Sequence, residues 1–162
     1  MVNRNLTIPS HLIAKANDSA AETLLDDWQW LIQSKFSPVV MTALGDYFLS
    51  DETGRIHFLD LMCGECTQVA AFLEEFDALC NDRELRRRWF VGFLVMELRK
   101  LHGELEIGQC FGCKIPLSLN GKLEASNFER TDIGVHYSVL GQLQQQVKSL
   151  PPGTKIQNVR IE

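Results

Sequence analysis

The stretch DYFLSDETGRIHFLDL, residues 46–61, decides the fold class. It contains two apolar arms, Tyr47–Leu49 and Ile56–Leu61, separated by a polar loop that ends at Gly54. This pattern is typical of a β-hairpin, because glycine accepts the positive φ that a tight loop requires. Val, Ile, Phe, Tyr and Thr are frequent throughout residues 39–69, so short strands are expected on both sides of the hairpin. The sequence predicts a central antiparallel meander of about four strands.

A helix is predicted before the meander and another directly after it. Ser19 and Glu22 have the spacing of a capping box, and apolar residues recur behind them at helical spacing. This pattern predicts an N-terminal helix over residues 20–34. The stretch 71–80 alternates apolar and acidic residues with the same period, which predicts a second amphipathic helix.

Two longer helices are predicted in the second half of the chain. The first follows Asp82 as N-cap and ends at Gly103; it is apolar on nearly every side, so we expect a central buried helix. The last begins at Thr131 or Asp132 and ends before Pro151. Strands in the middle of the chain, packed against N-terminal, central and C-terminal helices, indicate an α+β fold.

Length and charge restrict the domain organisation and the partners. A chain of 162 residues predicts one domain, which we place at residues 19–162 behind a flexible leader of residues 1–18. The sequence shows no apolar run long enough for a membrane span and no secretion-signal pattern, so a cytoplasmic location without a membrane partner is expected. A net charge of −5 disfavours a nucleic-acid partner, because phosphate binding needs clustered Lys and Arg. The oligomeric state is left open.

Two Cys-x-x-Cys pairs, Cys63/Cys66 and Cys110/Cys113, raise the question of a zinc site. The intervening stretch 67–109 is longer than the roughly 15–20 residues typical of compact four-cysteine sites. Cys63 and Cys66 would also point to opposite faces of a strand. We therefore predict no metal and no cofactor. A small metal-binding or thiol-dependent enzyme built on these four cysteines remains the alternative from another function class.

Polar residues late in the chain offer a further candidate site. Gln109, His136 and Gln142 are expected to converge beside the last helix, where they would form either a peptide or small-ligand site or a structural hydrogen-bond network. Cys110 with His136 and Asp132 has the residue types of a nucleophilic triad but lacks a recognised local motif. The sequence does not decide whether Gln109, His136 and Gln142 form a ligand site or a structural hydrogen-bond network.

Several motifs in a fixed order resemble a known bacterial family. They are FLDLMCGECTQVAAFLEEF, WFVGFLVMELRKLHGELEIGQCFGCKIP and TDIGVHYSVLGQLQQQVKSLPPGTKI, and their most specific parts are Gly108-Gln109-Cys110-Phe111, Val135-His136 and Gly141-Gln142. Residues 57–156 resemble the C-terminal domain of type VI secretion DNase-immunity proteins, long catalogued as a domain of unknown function. In that family an apolar residue typically stands at the position of Cys113, and Cys63 and Cys66 lie outside the usual pattern, which again disfavours zinc. The N-terminal glutamate-tRNA-synthetase-insertion-like domain of the family is shortened or diverged here.

The resemblance implies a non-catalytic protein that binds and neutralises a cognate secreted toxin encoded nearby, with a nuclease as the candidate toxin. An acidic inhibitor suits such a partner, because carboxylates can occupy a groove built for phosphates and can steer association. The candidate toxin-binding residues are Asp26, Asp27, Glu74, Glu75 and Asp77. No catalytic residue is predicted.

Overall fold

The computed structural model describes residues 6–17 and 23–162, and a five-stranded antiparallel sheet forms its centre. Each strand pairs with the next along the chain, so spatial order and sequence order agree. The strands are β1 (Ile13–Ala14), β2 (Phe36–Thr42), β3 (Tyr47–Asp51), β4 (Ile56–Asp60) and β5 (Glu65–Ala70). The α+β class and the antiparallel meander are confirmed, with five strands in the sheet where about four were expected.

The β3–β4 hairpin forms where the opening stretch predicted it. Tyr47 pairs with Leu59 and Ser50 with Ile56, and Gly54 has a φ of 86° in the connecting loop. Asp51 closes the loop: its Oδ1 accepts hydrogen bonds from the backbone N–H groups of Thr53 (2.9 Å) and Arg55 (3.0 Å). Tyr47, Phe48 and Leu49 on β3 are all buried; because successive side chains of a strand point to opposite faces, the core covers both faces of the hairpin.

The additional strand, β1, lies within residues 1–18, which were predicted to be a flexible leader. Ile13 pairs with Thr42, Leu12 is buried, and the backbone carbonyl of Leu12 accepts a hydrogen bond from Ala43 N (2.8 Å). Residues 6–17 thus contribute to both the sheet and the core, and the folded chain begins well before the predicted boundary at residue 18.

In the described part of the chain four α-helices follow the sheet: α1 (Leu73–Cys80), α2 (Arg83–Phe90), α3 (Gly92–His102) and α4 (Ile133–Lys148). The single central helix predicted from Asp82 to Gly103 is wrong, because Val91 lies in the left-handed region (φ 44°, ψ 48°) and divides it into α2 and α3. Each of the two helices packs only one side inward, so the prediction of complete burial is also wrong: Phe93 on α3 is 86% exposed.

The predicted N-terminal helix is also replaced by a different structure. Its capping box at residues 19–22 lies outside the described residues; from residue 23 the chain forms turns and a short 3-10 helix, Asp26–Trp28. The Trp28 and Trp30 indoles donate to two carbonyls of α4, those of Tyr137 (3.0 Å) and Gly141 (3.2 Å). Residues two apart on an α-helix point about 200° apart, so a regular helix could not direct both indoles at α4.

A two-stranded antiparallel sheet connects α3 to α4. It consists of β6 (Gln109–Cys113) and β7 (Phe128–Asp132), with Cys110 opposite Thr131. A backbone hydrogen bond from Phe111 N to Ala43 O (2.8 Å) joins it to the turn between β2 and β3. The core beneath is rich in aromatic side chains, among them Trp28, Phe48, Phe76 and Tyr137. Within the described residues, no helix is both long and apolar enough to cross a membrane.

Candidate functional site

Cys110 and His136, which pack against the same glycine, are the centre of the motifs found in the sequence. Cys110 lies on β6 and His136 on α4, and both are buried. They meet over Gly45 in the β2–β3 turn: a Cβ at Gly45 would lie 3.0 Å from His136 Cδ2 and 3.4 Å from Cys110 Sγ. Gly112 covers the ring from the other side, where a Cβ would lie 2.7 Å from His136 Nδ1. The imidazole therefore fills a space that only glycine backbones leave open.

The environment of this pair makes both side chains neutral. Burial lowers the pKa of His136 to about 4, and a contact with the backbone of Leu44 opposes this more weakly. Burial, followed by the nearby Asp46, raises the pKa of the Cys110 thiol far above its usual range. A nucleophilic cysteine needs a stabilised thiolate and access to substrate, and this environment opposes both. Asp132, the third member of the considered triad, uses its Oδ1 to cap α4 through Val135 N (3.0 Å).

The two glutamines expected beside His136 are used elsewhere. Gln109 Oε1 accepts a hydrogen bond from Glu106 N (3.1 Å) and so braces the loop before β6. Gln142 lies six residues after His136 on α4, which places it about 240° around the helix, and it hydrogen-bonds Ser138 Oγ (3.1 Å) and the backbone of Glu162. Of the predicted cluster, the structure brings Cys110 and His136 together and directs Gln109 and Gln142 to separate regions.

Gln144, which the sequence reasoning missed, is the glutamine with a buried structural role. It is 4% exposed, and its Nε2 donates to the carbonyls of Leu61 (3.1 Å) and Met62 (2.7 Å) at the end of β4. The signal was present in the sequence: Ile133, Tyr137, Leu140 and Gln144 follow a four-three-four spacing, which is the buried stripe of α4. Val135, by contrast, lies on the exposed side of α4.

A buried carboxyl, Asp46, was not predicted either. It follows Gly45 in the β2–β3 turn, and its Oδ1 accepts a hydrogen bond from Leu61 N (2.9 Å). Burial, with the negative charge of Asp60 second, raises the pKa of Asp46 to about 8, although the Leu61 N–H and the Thr42 hydroxyl favour the charged form. Tyr137 Oη donates to Gly45 O (2.5 Å) and holds the same turn against α4. This group of polar atoms fixes the turn beside Cys110 and His136.

The two Cys-x-x-Cys pairs belong to different parts of the structure, one at the edge of the five-stranded sheet and one on the two-stranded sheet. Cys63 is in the turn before β5, Cys66 is on β5, and Cys110 and Cys113 are on β6. Partial burial of the thiol first, then Asp60, raises the pKa of Cys63 to about 12, although the residue as a whole is exposed, and burial raises the pKa of Cys66 and Cys113. Among residues 6–17 and 23–162, no group of three or more His, Cys, Asp or Glu side chains is placed to hold a metal ion. Metal ligation by thiolates would have to overcome these raised pKa values.

The acidic candidates for toxin binding fall into two groups on different elements. Asp26 is exposed and Asp27 half-buried, and both belong to the 3-10 helix that packs against α4. Glu74, Glu75 and Asp77 belong to α1, which packs against β5 and α2.

Two of the α1 carboxylates also have local structural roles. Glu75 Oε2 accepts from Ala71 N (2.6 Å) ahead of the helix, and Asp77 Oδ1 accepts from Thr7 N (2.7 Å). Asp26 and Glu74 are the most exposed members of the two groups. Among the five candidates, these two therefore have the carboxylates most open to solvent.

The segments that carry Cys110 and His136 match a known family. Residues 70–144 match the family described as T6SS immunity protein Tdi1, C-terminal. The family resemblance inferred from the sequence is thereby confirmed over this range, which contains α1, α2, α3, both strands of the small sheet and most of α4. The Tdi1 C-terminal family consists of immunity proteins of the type VI secretion system.

The fold is similar to that of a solved bacterial protein. A crystal structure of Atu4351 from Agrobacterium tumefaciens superposes on this chain with a TM-score of 0.53 and 17% sequence identity. The similarity covers 75% of this chain and 64% of that one, so the chain spans less than two thirds of the length of Atu4351. At this identity the likeness establishes the fold alone. A comparison with curated proteins finds no match.

Proposed function

We propose that this chain is a non-catalytic immunity protein that binds a cognate toxin of a type VI secretion system in the cytoplasm and neutralises it. The observation that carries the proposal is the match of residues 70–144 to the Tdi1 C-terminal family. We further propose that the toxin is a nuclease encoded beside the immunity gene. An immunity protein must be made alongside its toxin for the producing cell to survive.

The chemistry of the motif residues supports binding over catalysis. Cys110 and His136 are buried and neutral, and the glycines around them exclude further atoms. Their arrangement stabilises the junction of β6, α4 and the β2–β3 turn. The motif therefore specifies a scaffold, and partner recognition falls to surface side chains, which vary independently of the fold.

Co-expression tests the proposal. The toxic domain of the neighbouring gene, expressed alone, is expected to arrest a host cell and to degrade its DNA. Co-expression of this chain should restore growth and yield a complex that survives purification. Because a few free nuclease molecules are lethal, a dissociation constant of about 1 nM or below is expected, which is about −12 kcal/mol. Absence of a toxic neighbour, together with no protection against related toxins, would refute the immunity function.

Charge variants test the proposed acidic contact. Asp26→Asn and Glu74→Gln remove charge at the two exposed positions, and Glu129→Gln on β7 is a matched exposed control. If carboxylates steer the encounter, the first two variants slow association by a fewfold at low salt, with a smaller effect at physiological salt, and the control does not. Association rates that are equal in all three variants would exclude these residues and leave the immunity function standing.

A further inference from the structure

The last residues of the chain are held on α4 by two glutamine side chains. Gln142 Oε1 accepts from Glu162 N (2.7 Å), and Gln142 Nε2 donates to Glu162 O (3.1 Å). Gln146 Oε1 accepts from Arg160 N (3.3 Å), and Gln146 Nε2 donates to Arg160 O (2.7 Å). Each side-chain amide thus satisfies both polar groups of one backbone residue, and all four hydrogen bonds go to the main chain.

The spacing of the two glutamines fits an extended chain. Positions four apart on an α-helix are about 6 Å apart along its axis, and alternate residues of an extended chain are about 6.6 Å apart. Two residues of the tail span the interval between Gln142 and Gln146, which only a nearly extended backbone can do. The pairing of residue 160 with Gln146 and of residue 162 with Gln142 makes the tail antiparallel to α4. The glutamine pair is therefore a receptor for extended backbone.

The side chains of the tail contribute little to this attachment. Arg160, Ile161 and Glu162 are exposed, and Val159 is the half-buried residue that packs against the core beside α4. Solvent-accessible hydrogen bonds to a short segment are offset by the entropy lost on ordering it. The tail is consequently an exchangeable occupant, and an occupant with another sequence can make the same four bonds.

The docking site extends beyond the range that matches the family and beyond the present tail. Gln142 lies inside residues 70–144, the range that matches the Tdi1 C-terminal family, whereas Gln146 and the tail lie outside it. Gln142 Nε2 also reaches Ser138 Oγ (3.1 Å), so the row of polar side chains at 138, 142 and 146 continues along α4 past the end of the occupied part. A longer extended segment than the present tail can therefore lie on the same row.

We propose that Gln142 and Gln146 form a sequence-independent docking site for an extended peptide segment, that residues 159–162 occupy it in the free protein, and that an extended segment of the toxin takes their place in the complex. The first two parts stand on the hydrogen bonds of the tail. The third rests on the proposed immunity function and names the surface through which that function acts. The tail is then a built-in competitor that is displaced when the toxin binds.

A labelled peptide with the sequence of Gln157–Glu162 tests the docking site without any toxin. The receptor is the full chain carrying Arg160→Pro and Glu162→Pro, which removes the two N–H donors of its own tail. We expect this variant to bind the peptide and the wild-type chain to bind it at least fivefold more weakly, because its own tail competes. A peptide with alanine in place of Arg160, Ile161 and Glu162 should bind equally well. No binding to the proline variant would refute the docking site.

Matched variants separate backbone recognition from side-chain recognition. In the tail, Arg160→Ala with Glu162→Ala keeps both N–H donors and is expected to behave as the wild type. On α4, Gln142→Met with Gln146→Met removes all four bonds and should abolish peptide binding in the proline background. Gln145→Met, at an exposed position of the same helix, is the control and should leave binding unchanged. If the alanine and proline tail variants bind the peptide equally, the site does not recognise backbone and the proposal fails.

The same variants test the toxin as second occupant. With the toxic domain identified by co-expression, the proline tail variant should bind at least threefold more tightly than the wild type. The double methionine variant should bind at least tenfold more weakly. If the wild type binds the toxin and neither pair of substitutions changes the affinity, toxin docking at this site is refuted while the immunity function stands. If the wild type binds no toxin, the immunity function and this third part fail together, and the peptide experiment still decides the docking site.

Discussion

Replacement of Asp46 by Asn should change how the stability of the protein depends on pH. The carboxyl of Asp46 has a pKa of about 8 in the folded chain against 3.8 for an ordinary aspartate, with burial as the largest cause. Between these values the folded state keeps a proton that the unfolded state has released. The free energy of unfolding therefore falls as the pH rises through this range, by up to about 1.4 kcal/mol per pH unit.

His136 changes the free energy of unfolding in the opposite direction over part of the same pH range. Its pKa is lowered from 6.5 to about 4, so between these values the unfolded state binds a proton that the folded state lacks. Stability then rises with pH, and the two contributions nearly cancel from about pH 4 to 6.5. Above pH 6.5 only Asp46 of these two groups contributes. We expect the stability of the wild type to fall by up to about 2 kcal/mol between pH 6.5 and 8.

Urea unfolding followed by tryptophan fluorescence at half-unit steps from pH 5 to 8 measures this dependence. Asp46→Asn keeps an oxygen for Leu61 N and cannot ionise, so its stability should be level above pH 6.5. The control is Glu52→Gln in the exposed β3–β4 loop, which should follow the wild type. A wild-type stability that stays level or rises from pH 6.5 to 8, or a fall of equal size in Asp46→Asn, would show that Asp46 is ionised in the folded protein.

Three further substitutions or treatments test the packing around α4 and the cysteines. Gln144→Leu leaves the buried carbonyls of Leu61 and Met62 without a donor and should lower stability by about 1–3 kcal/mol in urea unfolding. The control, Gln145→Leu, should change stability little, and equal effects of the two substitutions would contradict the buried role of Gln144. Gly112→Ala places a methyl group against the Thr131 methyl and the His136 ring and should cost about 1–3 kcal/mol, unlike Gly92→Ala, whose new Cβ meets Leu12 at an ordinary 3.4 Å. Protein purified without chelator should hold well under one equivalent of zinc and melt at the same temperature with and without chelator, and stoichiometric zinc would overturn the prediction of no metal.

The elements that could be predicted from sequence are those determined by neighbouring residues. Asp82 accepts hydrogen bonds from Glu84 N and Leu85 N, Asp132 accepts one from Val135 N, and Gly103 ends α3 with a φ of 82°. These caps and the β3–β4 hairpin depend on interactions within a few residues, which the sequence displays directly. For the same reason the ends of α1, α3 and α4 lie close to their predicted positions.

The elements that were predicted wrongly depend on distant partners. Residues 23–34 have a helical apolar pattern, and the indole hydrogen bonds to α4 override it. The division at Val91 places a β-branched residue in a conformation that its own propensity opposes, so no local signal marks it. In the candidate site, the motif pointed to His136 and Cys110, but their meeting over Gly45 joins three segments remote in sequence, and periodicity cannot reveal such a meeting.

The two indole hydrogen bonds also determine when during synthesis the fold can be completed. The β3–β4 hairpin joins residues close in sequence and can form early, whereas Trp28 lies 109 residues before its acceptor Tyr137. At about 5–20 residues per second, a ribosome needs roughly 5–20 s to make the stretch between them. For that interval the nascent chain carries two tryptophans whose partner does not yet exist. Translation must therefore have passed α4 before the scaffold closes, and any activity that requires α4 begins only after that delay.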